Sequence, residues 1–156
     1  GKAPYAVTKS ACGLAPILLD GIGDTIRISL LGDPVPEIAA AFDILQATQR
    51  RVRKPELIAC PTCGRLEIDL EKIIAQLEDR LKGRTTAIKI SVLGCVVNGP
   101  GEALMTDLGF TGGGKGAGMV YVAGQADHKV DNTAMIDHIV ALVEERARTL
   151  REAKKD

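Results

Sequence analysis

The chain has 156 residues, 20 Lys and Arg against 20 Asp and Glu for a formal net charge of +0, 46% hydrophobic residues and 3% aromatic residues with no Trp. That balance gives no field to gather nucleic acid or anionic lipid, and so few rings give no stacking platform for single strands, so neither nucleic acid nor membrane is an expected partner. The length suits one ordinary domain, or a compact domain with a piece of another. No apolar run nears the roughly 20 residues of a membrane span and no basic region with an apolar signal core opens the chain, which makes the cytoplasm the expected compartment. The first residue is Gly rather than Met, which leaves open whether this is a processed product or a portion of a longer polypeptide.

In chain order, "TKSACGLAPILLD" at 8–20 reads as a short helix weakened or kinked by Gly13 and Pro16, and "GIGD" ends it. "TIRISLL" alternates β-branched and polar residues and reads as a strand. In "GDPVPEIAAAFDILQAT", Asp33 is placed to cap a helix with Pro34 at its first position and Ile38, Phe42 and Leu45 at helical spacing. Helix, strand, helix looks like a slice of a larger α/β layer. "RRVRKP" then offers Arg50, Arg51, Arg53 and Lys54 either as solvated cations at a helix C-terminus or as a docking patch for an acidic partner.

The second part is more self-contained. "ELIA" reads as a buried strand running into "CPTCGR", and Leu70, Ile73, Ile74, Leu77 and Leu81 mark an amphipathic helix that starts at Asp69 and stops at Gly83. "AIKISVLG" reads as a central strand that delivers Cys95. "VVNGPGEAL" reads as a compact turn, a glycine-rich stretch follows, and "MVYVAG" reads as a further strand. The last helix starts near Asn132 or Thr133 and repeats Ile136, Ile139, Val140, Val143 and Leu150. Strand, helix, strand, strand, helix predicts an α/β or α+β sandwich. "GFTGGGKG" matches a P-loop only in part: Gly116 stands where Ser or Thr is needed and a strand follows, so it reads as a glycine turn between strands, with Lys115 a weak phosphate candidate.

Four cysteines are too few and too unevenly spaced for a disulfide scaffold, so metal or redox chemistry moves forward. Cys60 and Cys63 form C-x-x-C at the end of one strand, and Cys95 ends another. If the two strands are neighbours, the three sulfurs converge on one edge. Three readings compete. A thioredoxin-like dithiol leaves Cys95 and the "NGPGE" turn unexplained. A zinc-stapled binding module needs a fourth ligand, and His128 and His138 read instead as a loop residue and a helix-surface or core residue. A [4Fe–4S] cluster takes three thiolates and one different ligand, for which Glu102 is the nearest acid.

"ACPTCGR" followed by "GCVVNGPGEA" resembles the iron–sulfur signature of the 4-hydroxy-3-methylbut-2-enyl diphosphate synthase family, and "KSACGL", "GIGDTIRISL", "DPVPEI" and "DNTAMID" sit where that family has similar segments. The resemblance implies Cys60, Cys63, Cys95 and Glu102 as cluster ligands, while Cys12 matches no ligand and reads as a small buried apolar residue. It implies that residues 1–54 are the last helix, strand and helix of a (β/α)8 barrel and that 55–156 form a sheet flanked by helices, like the iron–sulfur domains of sulfite and nitrite reductases. Arg27 and Ser29 match family positions on substrate phosphate, as suits strand ends in a barrel. Asn98 matches one near cluster and substrate.

The implied reaction is a reductive ring opening and dehydration of 2-C-methyl-D-erythritol 2,4-cyclodiphosphate in the methylerythritol phosphate route to isoprenoids. Ferredoxin or flavodoxin is the implied donor and a homodimer the implied assembly, with the active site closing between the barrel of one subunit and the cluster domain of another. The chain departs from the family in lacking most of the barrel, including a proton-delivering acid and most phosphate-binding cations. Full activity from this chain alone is therefore not expected.

Overall fold

A computed structural model describes residues 1–97 and 99–152, and they form two compact units, Gly1–Arg53 and a second from Lys54 onward. In the first unit, α1 (Tyr5–Leu19) and α2 (Val35–Ala47) enclose a small core of Leu18, Ile28, Ala40 and Ile44, joined by Val7, Ala11, Leu14, Ile26 and Leu30. The 7, 11, 14, 18 spacing is one helical stripe. Cys12 lies off it and is exposed, which corrects the expectation of a buried residue. Helix α1 runs through Gly13 and Pro16 and stops where Gly21 takes φ 81°. On α2 the buried stripe is Ala40 and Ile44, so Ile38 is exposed. That helix begins one residue later than expected: Pro34 is its N-cap, and Asp33 Oδ1 accepts from the Val35 N–H at 3.0 Å.

The segment 25–30 keeps the expected alternation, with Ile28 buried and Arg27 and Ser29 exposed, but it pairs with no other strand. A lone extended segment has no ladder to join. Its last residue is held instead by the Leu30 N–H, which donates to Glu37 Oε1 at 2.7 Å. Arg50, Arg51, Arg53 and Lys54 are exposed just beyond the end of α2, as solvated cations near a helix C-terminus are expected to be. Arg50 Nη2 donates to the Leu19 carbonyl at 2.6 Å, and the guanidinium carbons of Arg51 and Arg53 lie 5.4 and 4.2 Å from the centroid of the Phe42 ring.

The second unit is a mixed five-stranded sheet in the order β1 (Glu56–Ala59), β2 (Lys89–Leu93), β3 (Leu108–Thr111), β4 (Ala117–Val122), β5 (Gln125–Asp131). The first three strands are parallel and the last two antiparallel additions. Two of these strands, β3 and β5, fall in stretches read as glycine-rich turn or loop. Side chains alternate across the sheet. Ile90, Val92, Leu108, Phe110 and Val120 face α3 (Leu70–Leu81) and α5 (Met135–Glu152), whose Leu77, Met135, Ile139 and Val143 complete the main core. Asp69 caps α3 by accepting from the Lys72 N–H at 3.2 Å, and Asp131 accepts from the Thr133 N–H and hydroxyl just before α5, bonds that hold its carboxyl below the usual carboxylate range.

The opposite face carries Ser91, Gly109 and Thr111, covered by the short helix α4 (Gly99–Ala103) where a turn was expected. Two glycines permit this close approach. A Cβ on Gly99 would lie 2.0 Å from Thr111 Cγ2, and one on Gly109 2.7 Å from Ala103 Cβ. The five residues are therefore held as a helix by contact with the sheet rather than by propensity. Buried beneath them, Ser91 and Thr106 share a hydroxyl hydrogen bond of 2.9 Å.

Candidate functional site

The site is built at the C-terminal ends of the parallel strands. Ala59 is in register with Val92, so Cys60 leaves β1 beside the residues that lead β2 into Gly94 and Cys95. The Gly94 N–H donates to Cys60 Sγ at 3.3 Å, and the Gly94 carbonyl accepts from the Glu67 N–H at 2.9 Å. The Leu66 N–H in turn donates to the Cys63 carbonyl at 3.2 Å. The C-x-x-C loop is thus stitched back onto the residue before Cys95. The absence of a Cβ at Gly94 leaves the space that the Leu66 side chain occupies, since a Cβ there would stand 1.9 Å from Leu66 Cδ2 and 3.2 Å from Leu66 Cγ.

All four cysteines are free; Cys95 is buried, Cys60 half-buried and Cys63 exposed. The backbone N–H of Arg65, then its guanidinium, hydrogen-bond the Cys63 sulfur and hold this thiol below its ordinary range, against a smaller effect of burial. Arg65 went unassigned in the sequence, although a cation two residues after Cys63 was the available signal. Thiolates are soft donors suited to zinc, copper(I) or iron–sulfur groups.

Glu102 is exposed on α4, one turn beyond Gly99, and Asn98 lies outside the described residues. Among the described residues, no group of three or more Cys, His, Asp and Glu side chains stands close enough to hold a metal ion. The structure therefore brings the segments bearing Cys60, Cys63 and Cys95 to one edge without closing the three sulfurs and Glu102 around a common centre. Arg27 and Ser29 belong to the first unit.

Thr111, which ends β3 at the same edge, is fully buried, and its hydroxyl has no hydrogen-bond partner among the described residues. Sequence reasoning missed it, since a Thr in a glycine-rich stretch carries no signal of its own. The stretch "GFTGGGKG" is the end of β3 and the connection Gly112–Gly116 to antiparallel β4, with Lys115 at φ 66°, and offers no helix N-terminus to a phosphate. His128 is in strand β5 rather than a loop, and His138 lies on the last helix as expected.

Residues 56–145 match the model of the GcpE protein C-terminal domain, and residues 1–42 match that of the GcpE TIM-barrel domain. The chain is 54% identical over 154 residues to a 4-hydroxy-3-methylbut-2-en-1-yl diphosphate synthase (flavodoxin) of Caulobacter vibrioides, covering 99% of this chain and 40% of that protein. Proteins of the same name from Dinoroseobacter shibae and Zymomonas mobilis are 56% and 49% identical over 142 and 147 residues, covering 91% and 94% of this chain and 37% and 39% of theirs. The chain spans about 40% of the length of the curated relatives it matches. Among the described residues no helix is long and apolar enough to cross a membrane.

Proposed function

We propose, because this chain belongs to the GcpE family, that it carries the reductase portion of a 4-hydroxy-3-methylbut-2-enyl diphosphate synthase. The reaction takes two electrons, opens the carbon–oxygen bond that closes 2-C-methyl-D-erythritol 2,4-cyclodiphosphate, and expels a hydroxyl as water. In this reading Cys60, Cys63, Cys95 and Glu102 hold a [4Fe–4S] cluster. The observation that carries it is the stitching of the C-x-x-C loop to Gly94, which keeps two cysteine-bearing segments together at one sheet edge.

The donor chemistry fits. Three free thiols lie on segments that meet at this edge, the Cys63 thiol is held below its ordinary range, and the Gly94 N–H already donates to the sulfur of Cys60. Hydrogen bonds to ligating sulfurs are among the levers that set an iron–sulfur potential. When bound, the cluster supplies electrons and a Lewis-acidic iron whose oxygen ligand is more readily exchanged than a thiolate.

This chain's residues then divide the work. Cys60, Cys63 and Cys95 anchor. Glu102, on an exposed turn of α4, is free to move its carboxylate without disturbing the core. Asn98 orients the substrate through its amide, and Arg27 and Ser29 grip diphosphate oxygens. Flavodoxin is the donor we favour over ferredoxin, supported by the relatives' names. A homodimer in the cytoplasm, with the rest of the barrel supplied by a longer polypeptide, completes the reading.

Anaerobic reconstitution with iron and sulfide tests it. A brown protein with iron and sulfide in equal amounts near four per chain, more labile in Glu102→Ala, is the expected result. A colourless protein that takes up zinc alone, or a cluster indifferent to Glu102→Ala and to Cys95→Ser, overturns the ligand assignment.

A further inference from the structure

We propose that His128 and His138 form a binding site for one divalent ion of the zinc class, separate from the cysteine-bearing edge. The sequence contains two histidines, and the fold brings both together. His128 stands in β5 opposite Val120, on the face covered by α5, and His138 lies in the first turns of that helix. Their Nε2 atoms are 2.7 Å apart, with the rings edge to face at 87° and their centroids 4.8 Å apart. The other ring nitrogen of His128, Nδ1, is 2.6 Å from Asp127 Oδ2.

This network assigns the protons. The Asp127 carboxylate accepts from Nδ1–H of His128, so the Nε2 lone pair of the neutral ring points at His138, whose Nε2–H donates to it. Burial, and then the neighbouring His128, hold the His138 imidazole below its ordinary range, against a smaller opposing effect of Asp127. A metal ion entering between the rings takes the Nε2 lone pair of His128 directly. His138 carries its proton on Nδ1 instead, so its Nε2 becomes the second ligand with no net loss of a proton. Carboxylate to imidazole to metal is the arrangement by which an outer partner fixes the tautomer and raises ligand basicity.

The geometry needs little adjustment. With metal–nitrogen bonds of about 2.0–2.1 Å and tetrahedral angles, two nitrogen ligands stand about 3.3 Å apart, so the pair must open by about 0.6 Å from its present 2.7 Å. The side chain of His128 is 41% exposed, which leaves room for both the ring motion and the waters that fill the other positions. Two imidazoles suit Zn2+, Cu2+ or Ni2+ and discriminate against Mg2+ and Ca2+. Occupancy would tie the edge strand β5 to α5.

The test is a titration of the chain, labelled with 15N in its histidines, by ZnCl2 at a pH above the imidazole range. Zinc reaching the cysteines leaves the ring nitrogens silent, so the two sites are read apart. The expected result is that both Nε2 resonances move together and saturate once one equivalent beyond that taken up by the cysteines has been added. His138→Gln should weaken binding at His128 at least tenfold, and Asp127→Asn should weaken it about 10–100-fold. Ring resonances that follow protons but ignore excess zinc overturn the proposal, as does a His138→Gln variant that binds at His128 as tightly as the parent. The titration of the unaltered chain decides alone if a variant loses its amide spectrum.

Discussion

Gly99→Ala is the substitution most directly specified by the packing. The new Cβ would stand 2.0 Å from Thr111 Cγ2 and 3.1 Å from Thr111 Cβ, where carbon atoms rest at about 3.5–4.0 Å. Thr111 is fully buried and β-branched, so it cannot swing aside cheaply, and the overlap must lift α4 from β3. Overpacking of this kind costs about 1–3 kcal/mol, against a gain of about 0.4–1 kcal/mol from stiffening the unfolded chain, which leaves a net loss near 1–2 kcal/mol. Thr111→Ser removes the offending methyl and alone costs about 1 kcal/mol. Combined, the two should be less harmful than their sum by about 1 kcal/mol or more. Urea unfolding followed by far-ultraviolet circular dichroism measures all four corners of the cycle. A double variant that adds to within about 0.3–0.5 kcal/mol would show that Gly99 is not pressed on Thr111.

Two further outcomes follow from groups at the same edge. Thr111→Val keeps the shape and deletes a buried hydroxyl that has no partner among the described residues; it should raise the stability of the metal-free chain by about 1 kcal/mol, and a lowered melting temperature would contradict that. Alkylation of Cys63, located by mass spectrometry, should show a rate midpoint below the ordinary thiol range, because its folded form favours thiolate. Arg65→Gln should move that midpoint only partly back, since the larger cause, the backbone N–H, remains; an unchanged midpoint, or full return, would refute the division.

How much of this was legible in the sequence depended on periodicity. Helices α3 and α5 carry long apolar stripes, and β1, β2 and β4 are runs of apolar residues between breakers, so all five were readable. Strand β3 is four residues, LGFT, running into glycines, and β5, QADHKVD, is a polar edge strand whose charges discourage further pairing. Neither has an apolar pattern to find. Helix α4 is spelled GPGEA, a string of breakers, and exists because glycine lets it lie against the sheet. At the site, the cysteines at two strand ends were legible because neighbouring parallel strands finish on one side. The stitching through Gly94, the influence of Arg65 and the meeting of His128 with His138 depend on tertiary contacts between segments that the sequence leaves apart.

The unpaired ribbon at 25–30 has a practical corollary for anyone handling the chain by itself. Its outward residues Arg27 and Ser29 are about 6.6 Å apart along the backbone; Ile28 in the core and the Leu30 N–H on Glu37 anchor the segment, while its backbone has no ladder partner among the described residues. Isolated molecules therefore have a standing invitation to borrow a neighbour from each other, aided by uncovered Leu31, Val35 and Ile38 close by. Concentrated solutions should thicken into oligomers that a short competing β-peptide disperses.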